Sequence, residues 1–434
     1  MNVELRNTKT AAEQALSSAY AAARDTLPGK GAVAKLREDA FRRFDANGLP
    51  HRRVEEWKYT DLRALMREAK PLAGPAGAKP KGDIAPMLSG VDANHIAIVN
   101  GRYEPGWSDF KAGDPDIAIE ELFKFLGDNP DFRLGQVPGT DDPAYWLNTA
   151  FMSGGVALRV KGSVAKPLHI AHVVTGDAAA VYPRSVVVVE PGAQVTLIES
   201  FTGPEGVDYQ VNSALELVIG DNARLDHIQI GSDGGAALRV STLGVTVGAK
   251  ATYRDFAFTL GGAVVRNQTF VRFSGEGSEG AIDGASLLKG RQHVDNTLVI
   301  SHAAGNCLSR ERFKSVLDGE SHGIFQGKII VEPHAQKTDG KMMTRALLLS
   351  DEAEADNKPE LEIFADDVIC GHGATAGALD PGLKFYLMSR GIPAQEAEAL
   401  LIEAFIDETI EEIAHEGIRD ALKFAALKWL GSRS

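Results

Sequence analysis

The chain has 434 residues and a net charge of −13, with 44% hydrophobic residues and two cysteines. The negative charge excludes nucleic acids and anionic membrane surfaces as favoured partners, because their phosphates would repel this protein. Two cysteines cannot build a disulfide framework, and no apolar run is long enough to span a bilayer, so we expect a protein of the reducing cytoplasm.

The first 150 residues predict a mainly helical domain with a short β segment. Residues 9–44 are rich in helix-forming side chains, and their apolar positions recur at helical spacing. Residues 95–99 are apolar and precede an Asn-Gly turn signal, so they predict the strand. Residues 116–125 predict a further amphipathic helix.

From about residue 155 the pattern changes to alternating apolar and polar residues, which is typical of strands with one buried face. Short strands end in glycines that are spaced by 28, 28, 29 and 28 residues, namely Gly192, Gly220, Gly248, Gly277 and Gly305. A single repeat of this kind cannot bury its apolar face, so the repeats must stack. Glycine suits the corners because it turns there without a Cβ penalty. We therefore predict a mainly β protein with a right-handed β-helix, a β-solenoid, as its core over residues 151–380.

Residues 381–434 predict a C-terminal helical domain. One helix begins at Pro393, and a second runs from about residue 413 to 430. The second helix has more apolar residues than a small helix needs to hide, and we favour docking on the solenoid over a partner-binding role for them. Since open solenoid ends invite unwanted strand pairing, we expect the helical segments at both ends of the chain to cap them.

Three local motifs are better explained by structure than by chemistry. Residues 275–280 (GEGSEG) match a dinucleotide-binding pattern, but a strand pattern follows where a helix is required, so we predict a solenoid corner. His169 and His172 would point to opposite faces of a strand and could not share an ion. Cys307 lies near basic residues that would lower a thiol pKa, although an isolated cysteine is more often a small buried apolar side chain.

The strongest candidate site is the segment 370–373 (CGHG). Cys370 and His372 are two residues apart, so in an extended segment both side chains lie on one face and could reach a soft metal or a sulfur species. The flanking glycines would let the backbone approach closely. Two ligands do not close a site, and the chain has too few cysteines for a cluster of its own. Any iron–sulfur site must therefore be shared with another chain.

The C-terminal third contains an ordered series of motifs. They are residues 327–331 (GKIIV), 335–340 (AQKTDG), 347–350 (LLLS), 359–363 (PELEI), 365–368 (ADDV), 370–375 (CGHGAT), 379–380 (LD) and 385–392 (FYLMSRGI). This series resembles the SufB/SufD family of iron–sulfur cluster assembly scaffolds. The resemblance extends more weakly to residues 56–61 (EWKYTD), so it covers most of the chain.

This resemblance implies a β-helix with helical flanks and a non-catalytic scaffold in a complex with a SufB-like paralogue and the ABC-type ATPase SufC. The SufD branch fits better than SufB, because the chain is short and has few thiols. His372 and Cys370 would lie at the SufB–SufD interface, where a transient cluster or iron forms, and no cofactor would stay bound to the chain alone. The C-terminal helices would dock SufC, with candidate contacts at Phe385, Leu387, Leu400, Leu401 and Phe405.

Two positions depart from the family pattern, and some expectations stay open. Gly371 stands where the family has serine, and Met388 stands where it has arginine. Whether flavin binds the complex, and whether the chain alone forms a homodimer, is open. Two alternatives from other classes are a secreted-type carbohydrate-active β-helix enzyme, which would need paired carboxylates in a groove, and a purely structural oligomerising solenoid.

Overall fold

The computed structural model describes residues 9–75, 77, 84–110, 114–129 and 132–433, so the first eight residues of the predicted N-terminal domain lie outside it. Within this part of the chain, 20 β-strands form two ten-stranded sheets, and eight α-helices flank them. The prediction of a mainly β fold with a solenoid core and helical flanks is confirmed.

The two sheets are named sheet A and sheet B, and their strands are given in the order in which they neighbour one another. Sheet A consists of β19 (Glu354–Ile363), β17 (His322–Val331), β15 (His293–His302), β13 (Val264–Phe273), β11 (Leu238–Val247), β9 (Gln210–Ile219), β7 (Arg184–Val189), β4 (Val156–Val160) and β3 (Ile117–Glu121), with β6 (Ala180–Val181) beside β9. Sheet B consists of β2 (Arg102–Tyr103), β1 (Asn94–Val99), β5 (Leu168–Val173), β8 (Gln194–Thr202), β10 (Arg224–Ser232), β12 (Thr252–Thr259), β14 (Glu279–Leu288), β16 (Leu308–Leu317), β18 (Asp339–Leu348) and β20 (Ile369–Gly377). The helices are α1 (Ala11–Ala23), α2 (Ala32–Asn47), α3 (Leu62–Leu65), α4 (Leu122–Asp128), α5 (Pro143–Phe151), α6 (Pro381–Ser389), α7 (Ala394–Ile410) and α8 (Glu416–Gly431).

The chain alternates between the two sheets, so that one strand of each sheet makes one coil. From β7 onward every strand pairs parallel and in register with the strand of the preceding coil in the same sheet. The positions aligned in sheet B are 27 to 31 residues apart, as in the series Gln194, Arg224, Thr252, Glu279, Leu308, Asp339 and Ile369. Inward-facing apolar side chains such as Leu225 and Ile300 stack between the sheets into one continuous core.

The corner glycines serve two different purposes. One register position, at the turn before each strand of sheet B from β8 to β18, has a positive φ, and its occupants are Gly192, Asn222, Lys250, Gly277, Asn306 and Lys337. Gly220 and Gly248 lie two residues before this position, where a Cβ would lie 2.6 Å from Pro191 N and 2.9 Å from Asp221 N respectively. The prediction that glycine is needed for a left-handed turn therefore holds for only two of the five corner glycines, Gly192 and Gly277. Gly220 and Gly248 are explained by the tight stacking of one turn on the next.

Of the two elements predicted between residues 95 and 125, the strand is confirmed and the helix is wrong. The predicted strand at 95–99 is part of β1, which pairs parallel with β5 and so extends sheet B. The predicted helix at 116–125 is wrong, because Ile117 and Ile119 belong to β3, which pairs antiparallel with β4, and α4 begins only at Leu122. The alternation of Ile117 and Ile119 has the period of a strand, and the free edge of β4 supplies its partner.

The flanking helices cover the sides of the solenoid, and the expected capping of both ends is wrong for the C-terminal helices. Ile402 and Ile406 of α7 and Leu422 of α8 pack on the outer face of sheet B against Phe256 and Phe258. The apolar faces of α7 and α8 are therefore buried against the outer face of sheet B and not against an end of the solenoid. No helix in the described ranges combines the length and the apolar character that a membrane span requires.

Some apolar residues of α8 pack on the solenoid, as predicted, and others are exposed and available to a partner. Leu422 and Trp429 are buried against sheet B, whereas Phe424 is 70% exposed and Leu427 is 45% exposed. Pro393 lies one residue before α7, at its N-cap, and not within the first turn. The docking interpretation therefore holds for one face of α8, and the opposite face is open.

Buried ion pairs attach the N-terminal segments to sheet A. The guanidinium of Arg184 pairs with Glu216 at 2.5 Å and also contacts the Tyr145 hydroxyl of α5. Arg266 pairs with Asp295 and donates to the Glu56 carbonyl at 2.7 Å. Removing one member of such a pair leaves a charge in a dry site, so each pair restricts how these segments can pack.

The two kinds of corner glycine predict different stability losses. In Gly275→Ala the new Cβ would lie 1.9 Å from the backbone nitrogen of Ala249 in the preceding turn, so two coils must separate. In Gly192→Ala no atom lies within 4 Å, and only the positive φ is strained. We expect losses of about 3 kcal/mol or more for Gly275→Ala and about 1 kcal/mol for Gly192→Ala in urea unfolding. Gly377→Ala, with neither clash nor positive φ, is the control, and equal losses for the first two would contradict this explanation.

Candidate functional site

The last coil of the solenoid, formed by β19 and β20, is open to solvent. Among the described residues, each of these strands has a hydrogen-bonded neighbour on one side only, β17 for β19 and β18 for β20. Neither strand contains a buried residue. Two apolar side chains are exposed here, Phe364 in the turn between the strands by 62% and Ile369, the first residue of β20, by 65%. This end therefore presents unpaired backbone groups beside apolar surface, which is the kind of edge that proteins usually cover or pair.

Cys370 and His372 both lie on β20, at the edge of this coil. In the register Cys370 is opposite Gly340 of β18, and His372 is opposite Met342, which is buried in the core. Cys370 is half-buried and packs on the core, whereas the side chain of His372 is exposed. The two residues therefore lie on one face of β20, in two neighbouring rows that continue the solenoid interior to its open end.

The glycines around His372 have different surroundings. A Cβ at Gly373 would lie 2.7 Å from the Met343 Cε, so a larger residue there would displace the methionine. A Cβ at Gly371 would meet nothing within 4 Å. The serine that the family pattern has in place of Gly371 would therefore fit without a steric clash of its Cβ.

The environment of Cys370 keeps its thiol protonated in the isolated chain. Burial raises the pKa of Cys370, and the carboxylates of Asp339 and Glu311 raise it further, against the opposing effect of the Gly340 N–H. A thiol of this kind becomes a ligand only when a metal ion or a neighbouring cation displaces its proton. The isolated chain therefore holds Cys370 as a thiol that must lose its proton before it can bind a metal ion.

Glu311 is a functional candidate that the sequence interpretation missed. It lies on β16, two strands below His372 in the same row, with Met342 between them. Its side chain is fully buried, and neither carboxylate oxygen has a hydrogen-bond partner among the described residues. The nearby Ser309 hydroxyl bonds His302 Nε2 at 3.0 Å instead. The sequence signal for Glu311 is its position in the alternating pattern of β16, where it shares the buried face with Phe313. A charged residue on that face could have been recognised as a candidate.

The predicted ATPase contacts are not equally exposed. Phe385 of α6 is 72% exposed and Leu400 of α7 is 40% exposed, whereas Leu387 and Leu401 are half-buried. Phe405 packs on the solenoid, with the Lys314 ammonium 4.7 Å from its ring centroid. None of the residues of α6 is buried, and this helix forms the main exposed apolar surface of the C-terminal region. Besides Phe385, the exposed apolar side chains of α6 are Leu383, Tyr386 and Met388.

The three motifs assigned to structure behave as expected. Residues 275–280 form the turn before β14 and its first two residues, with no helix after them. His169 contacts His95 and Ser200, whereas His172 pairs with Glu199, so the two histidines have separate partners. Cys307 is buried, and burial raises its pKa, so it is the inert thiol and not the activated one.

The buried carboxyl of Glu311 predicts a pH-dependent stability. Burial raises the pKa of Glu311 from 4.5 to about 8, so the folded chain keeps a proton that the unfolded chain loses. Stability from this group is complete below pH 4.5 and is lost as the pH rises to about 8. At pH 8.5 we expect the free energy of unfolding of Glu311→Gln to exceed that of the parent by several kcal/mol, so the variant should unfold at a higher temperature. Near pH 4.5 the two proteins should be equally stable.

The control for this prediction is Glu320→Gln, since Glu320 is exposed beside Arg291. Thermal unfolding followed by circular dichroism between pH 4.5 and 8.5 provides the measurement. A constant difference between parent and Glu311→Gln over this range would show that the carboxyl does not remain protonated in the fold.

Comparison with known proteins gives a consistent assignment. One family model, the SufBD core domain of the SUF system for FeS cluster assembly, matches residues 172–405, and another, the SufBD protein N-terminal region, matches residues 10–170. The iron–sulfur cluster assembly protein SufD of Escherichia coli is 31% identical over 381 residues, which cover 86% of this chain and 87% of that protein. The SufBD family protein slr0076 of Synechocystis is 30% identical, covering 86% of each chain. The SufBD family protein Rv1462 of Mycobacterium tuberculosis is 28% identical, covering 92% of this chain and 96% of its own. This chain therefore belongs to the SufBD family of iron–sulfur cluster assembly proteins.

Proposed function

We propose that this chain is a non-catalytic scaffold subunit of a SUF assembly complex and that it pairs with a SufB-like paralogue through its last coil. The observation that carries the proposal is the open edge of β19 and β20, which leaves two parallel strands without an outer neighbour. A paralogue with the same coil geometry offers matching strand edges, so pairing would satisfy the backbone groups of both chains. It would also cover the exposed Phe364 and Ile369.

Cys370 and His372 supply this chain's share of an assembly site at that edge. A thiolate and an imidazole suit iron and iron–sulfur species, and the cluster is the cargo of the site. The paired chain contributes the remaining ligands, since the only other thiol of this chain, Cys307, is buried two coils away on the turn before β16. The raised pKa of Cys370 fits this division of labour, because the thiol becomes reactive only once cargo or partner arrives.

The exposed face of α6 is the proposed docking surface for the ABC-type ATPase SufC. This helix follows β20 after only three residues, 378–380, so a displacement of α6 would act on the strand that carries Cys370 and His372. Its aromatic side chains at Phe385 and Tyr386 are the kind of exposed anchors that dominate protein interfaces. Nucleotide-driven movement of the ATPase would thus reach the assembly site through a short covalent connection.

The two alternatives from other classes have different standings. The family supports a role in iron–sulfur cluster assembly and gives no support to a secreted carbohydrate-active enzyme. Homo-oligomerisation uses the same open edge, so two copies of this chain would pair there when no SufB-like partner is available. Size measurement of the chain alone and with its partners distinguishes the two assemblies.

Replacing His372 tests the assembly site. His372→Ala, coexpressed with the SufB-like and SufC partners, should retain the subunit ratio of the parent complex, because the exposed imidazole makes no core contact. Loss of a ligand should reduce the affinity for iron by about tenfold or more. The measurement is iron and acid-labile sulfide per complex after anaerobic reconstitution. His334→Ala is the matched control, since His334 is an exposed histidine on the turn after β17. Equal cluster content in both variants would remove His372 from the site.

Replacing Phe385 tests the ATPase docking surface. Truncating an interface aromatic typically costs about 2 kcal/mol, so Phe385→Ser should weaken SufC binding about thirtyfold. Phe424→Ser on α8 is the matched control, because Phe424 is exposed to nearly the same extent, 70% against 72%. Affinity is measured by titrating SufC onto the immobilised chain. If only Phe424→Ser weakened binding, the docking surface would lie on α8 and not on α6.

A further inference from the structure

A histidine and two carboxylates meet on the outer face of sheet A, away from Cys370 and His372. His322 begins β17 and lies opposite Glu354, the first residue of β19, while Asp356 follows two positions along the same face. One ligand atom from each of the three residues lies within 4.8 Å of the others, and His322 Nε2 is 2.8 Å from Asp356 Oδ2. Register between neighbouring coils thus brings together residues that are more than 30 positions apart in the sequence.

The charges at this cluster are not balanced by lysine or arginine. Further along the same face of β19, Glu360 and Glu362 form ion pairs with Lys328, and Glu360 also with Lys358. In the part of the chain that the structure describes, Asp356 has only His322 as an ion-pair partner, and Glu354 has no such partner. Two carboxylates therefore converge on a neutral or singly charged imidazole, which favours a cation between them.

The support behind the cluster is rigid. His293 lies opposite His322 on β15, and its ring contacts the His322 ring edge-on at 5.0 Å between centroids. The Nε2 atom of His293 is 2.9 Å from the Thr60 hydroxyl, so the ring is held from the side facing the N-terminal segment. Three adjacent parallel strands thus fix the direction of His322, as a metal-binding imidazole requires.

The ligand atoms suit a transition-metal ion better than calcium or magnesium. An imidazole favours zinc, iron and their neighbours, whereas calcium and magnesium prefer oxygen ligands alone. Ligand atoms about 2.1 Å from a tetrahedral zinc lie roughly 3.4 Å apart, which the cluster reaches by small rotations of the exposed Glu354 and half-buried Asp356. Three protein ligands also leave a coordination position for water.

We propose that His322, Glu354 and Asp356 form a binding site for a divalent transition-metal ion that clamps β19, the edge strand of sheet A, to β17. The ion joins the last coil to the coil beneath it at the strand beginnings, far along the coil from the turn that leads to β20. Bound metal therefore stabilises the open end of the solenoid. This site is independent of the proposed assembly role, because it shares no residue with the Cys370 and His372 site.

The test is a zinc titration of the purified chain by calorimetry. The parent for this experiment is Cys370→Ser with His372→Ala, so that the edge of β20 contributes no ligand. It should bind one zinc ion, and Asp356→Asn, which preserves shape but removes charge, should weaken binding by about tenfold or more. His322→Gln carries the same expectation and serves if Asp356→Asn does not fold. His334→Gln is the matched control, since His334 lies 3.7 Å from a single carboxylate, that of Glu332.

Amide hydrogen exchange gives a second readout that locates the ion. Zinc should slow exchange of the β19 amides in the parent and leave them unchanged in Asp356→Asn. Zinc affinity that is the same in the parent, Asp356→Asn and His322→Gln would overturn the proposal. So would a zinc-dependent slowing of exchange that persists in both variants.

Discussion

The in-register stacking of parallel strands from coil to coil is the constraint on which the rest of this structure depends. Because every strand lies directly on the strand of the preceding coil, side chains at equivalent positions form continuous rows. A row can be apolar, as at Leu225 and Tyr253, or it can carry chemistry, as at Glu311 and His372. The same stacking has no natural end, so the last coil is left with free strand edges unless something covers them.

The flanking segments preserve this open end because they are attached to the sides. Buried arginines on sheet A hold the N-terminal segments, with Arg184 reaching α5 and Arg266 reaching the Glu56 carbonyl. On the opposite side, the apolar faces of α7 and α8 pack on sheet B. The Lys314 ammonium of β16 also donates hydrogen bonds to the Phe405 carbonyl and to the Glu408 carboxylate. A buried charge without its partner is strongly destabilising, so these contacts favour one packing arrangement for each flank. In the ranges that the structure describes, neither flank places a strand beside the open edges of β19 and β20.

The successes and failures of the sequence interpretation have physical reasons. Period-two alternation and recurring turns predicted the solenoid, because both are local properties of the chain. The positive φ of Lys250 and Lys337 was hidden, since neighbouring coils impose it on residues that do not favour it. The strand at Ile117 was mistaken for a helix because its partner, β4, lies about 40 residues further along. The convergence of His322 with Glu354 could not be predicted, because it depends on the register between two coils.

By itself the sequence determined that the core is a β-solenoid and that two cysteines cannot supply the four thiolates of an all-cysteine iron–sulfur cluster. The first follows from the alternating direction of Cβ atoms along a strand, and the second from counting ligands. Only the tertiary structure decided which faces are covered, that the end bearing Cys370 and His372 is open, and that Glu311 lies buried beneath them. Turn lengths vary between coils, so the alignment of distant residues is known only once the coils are stacked.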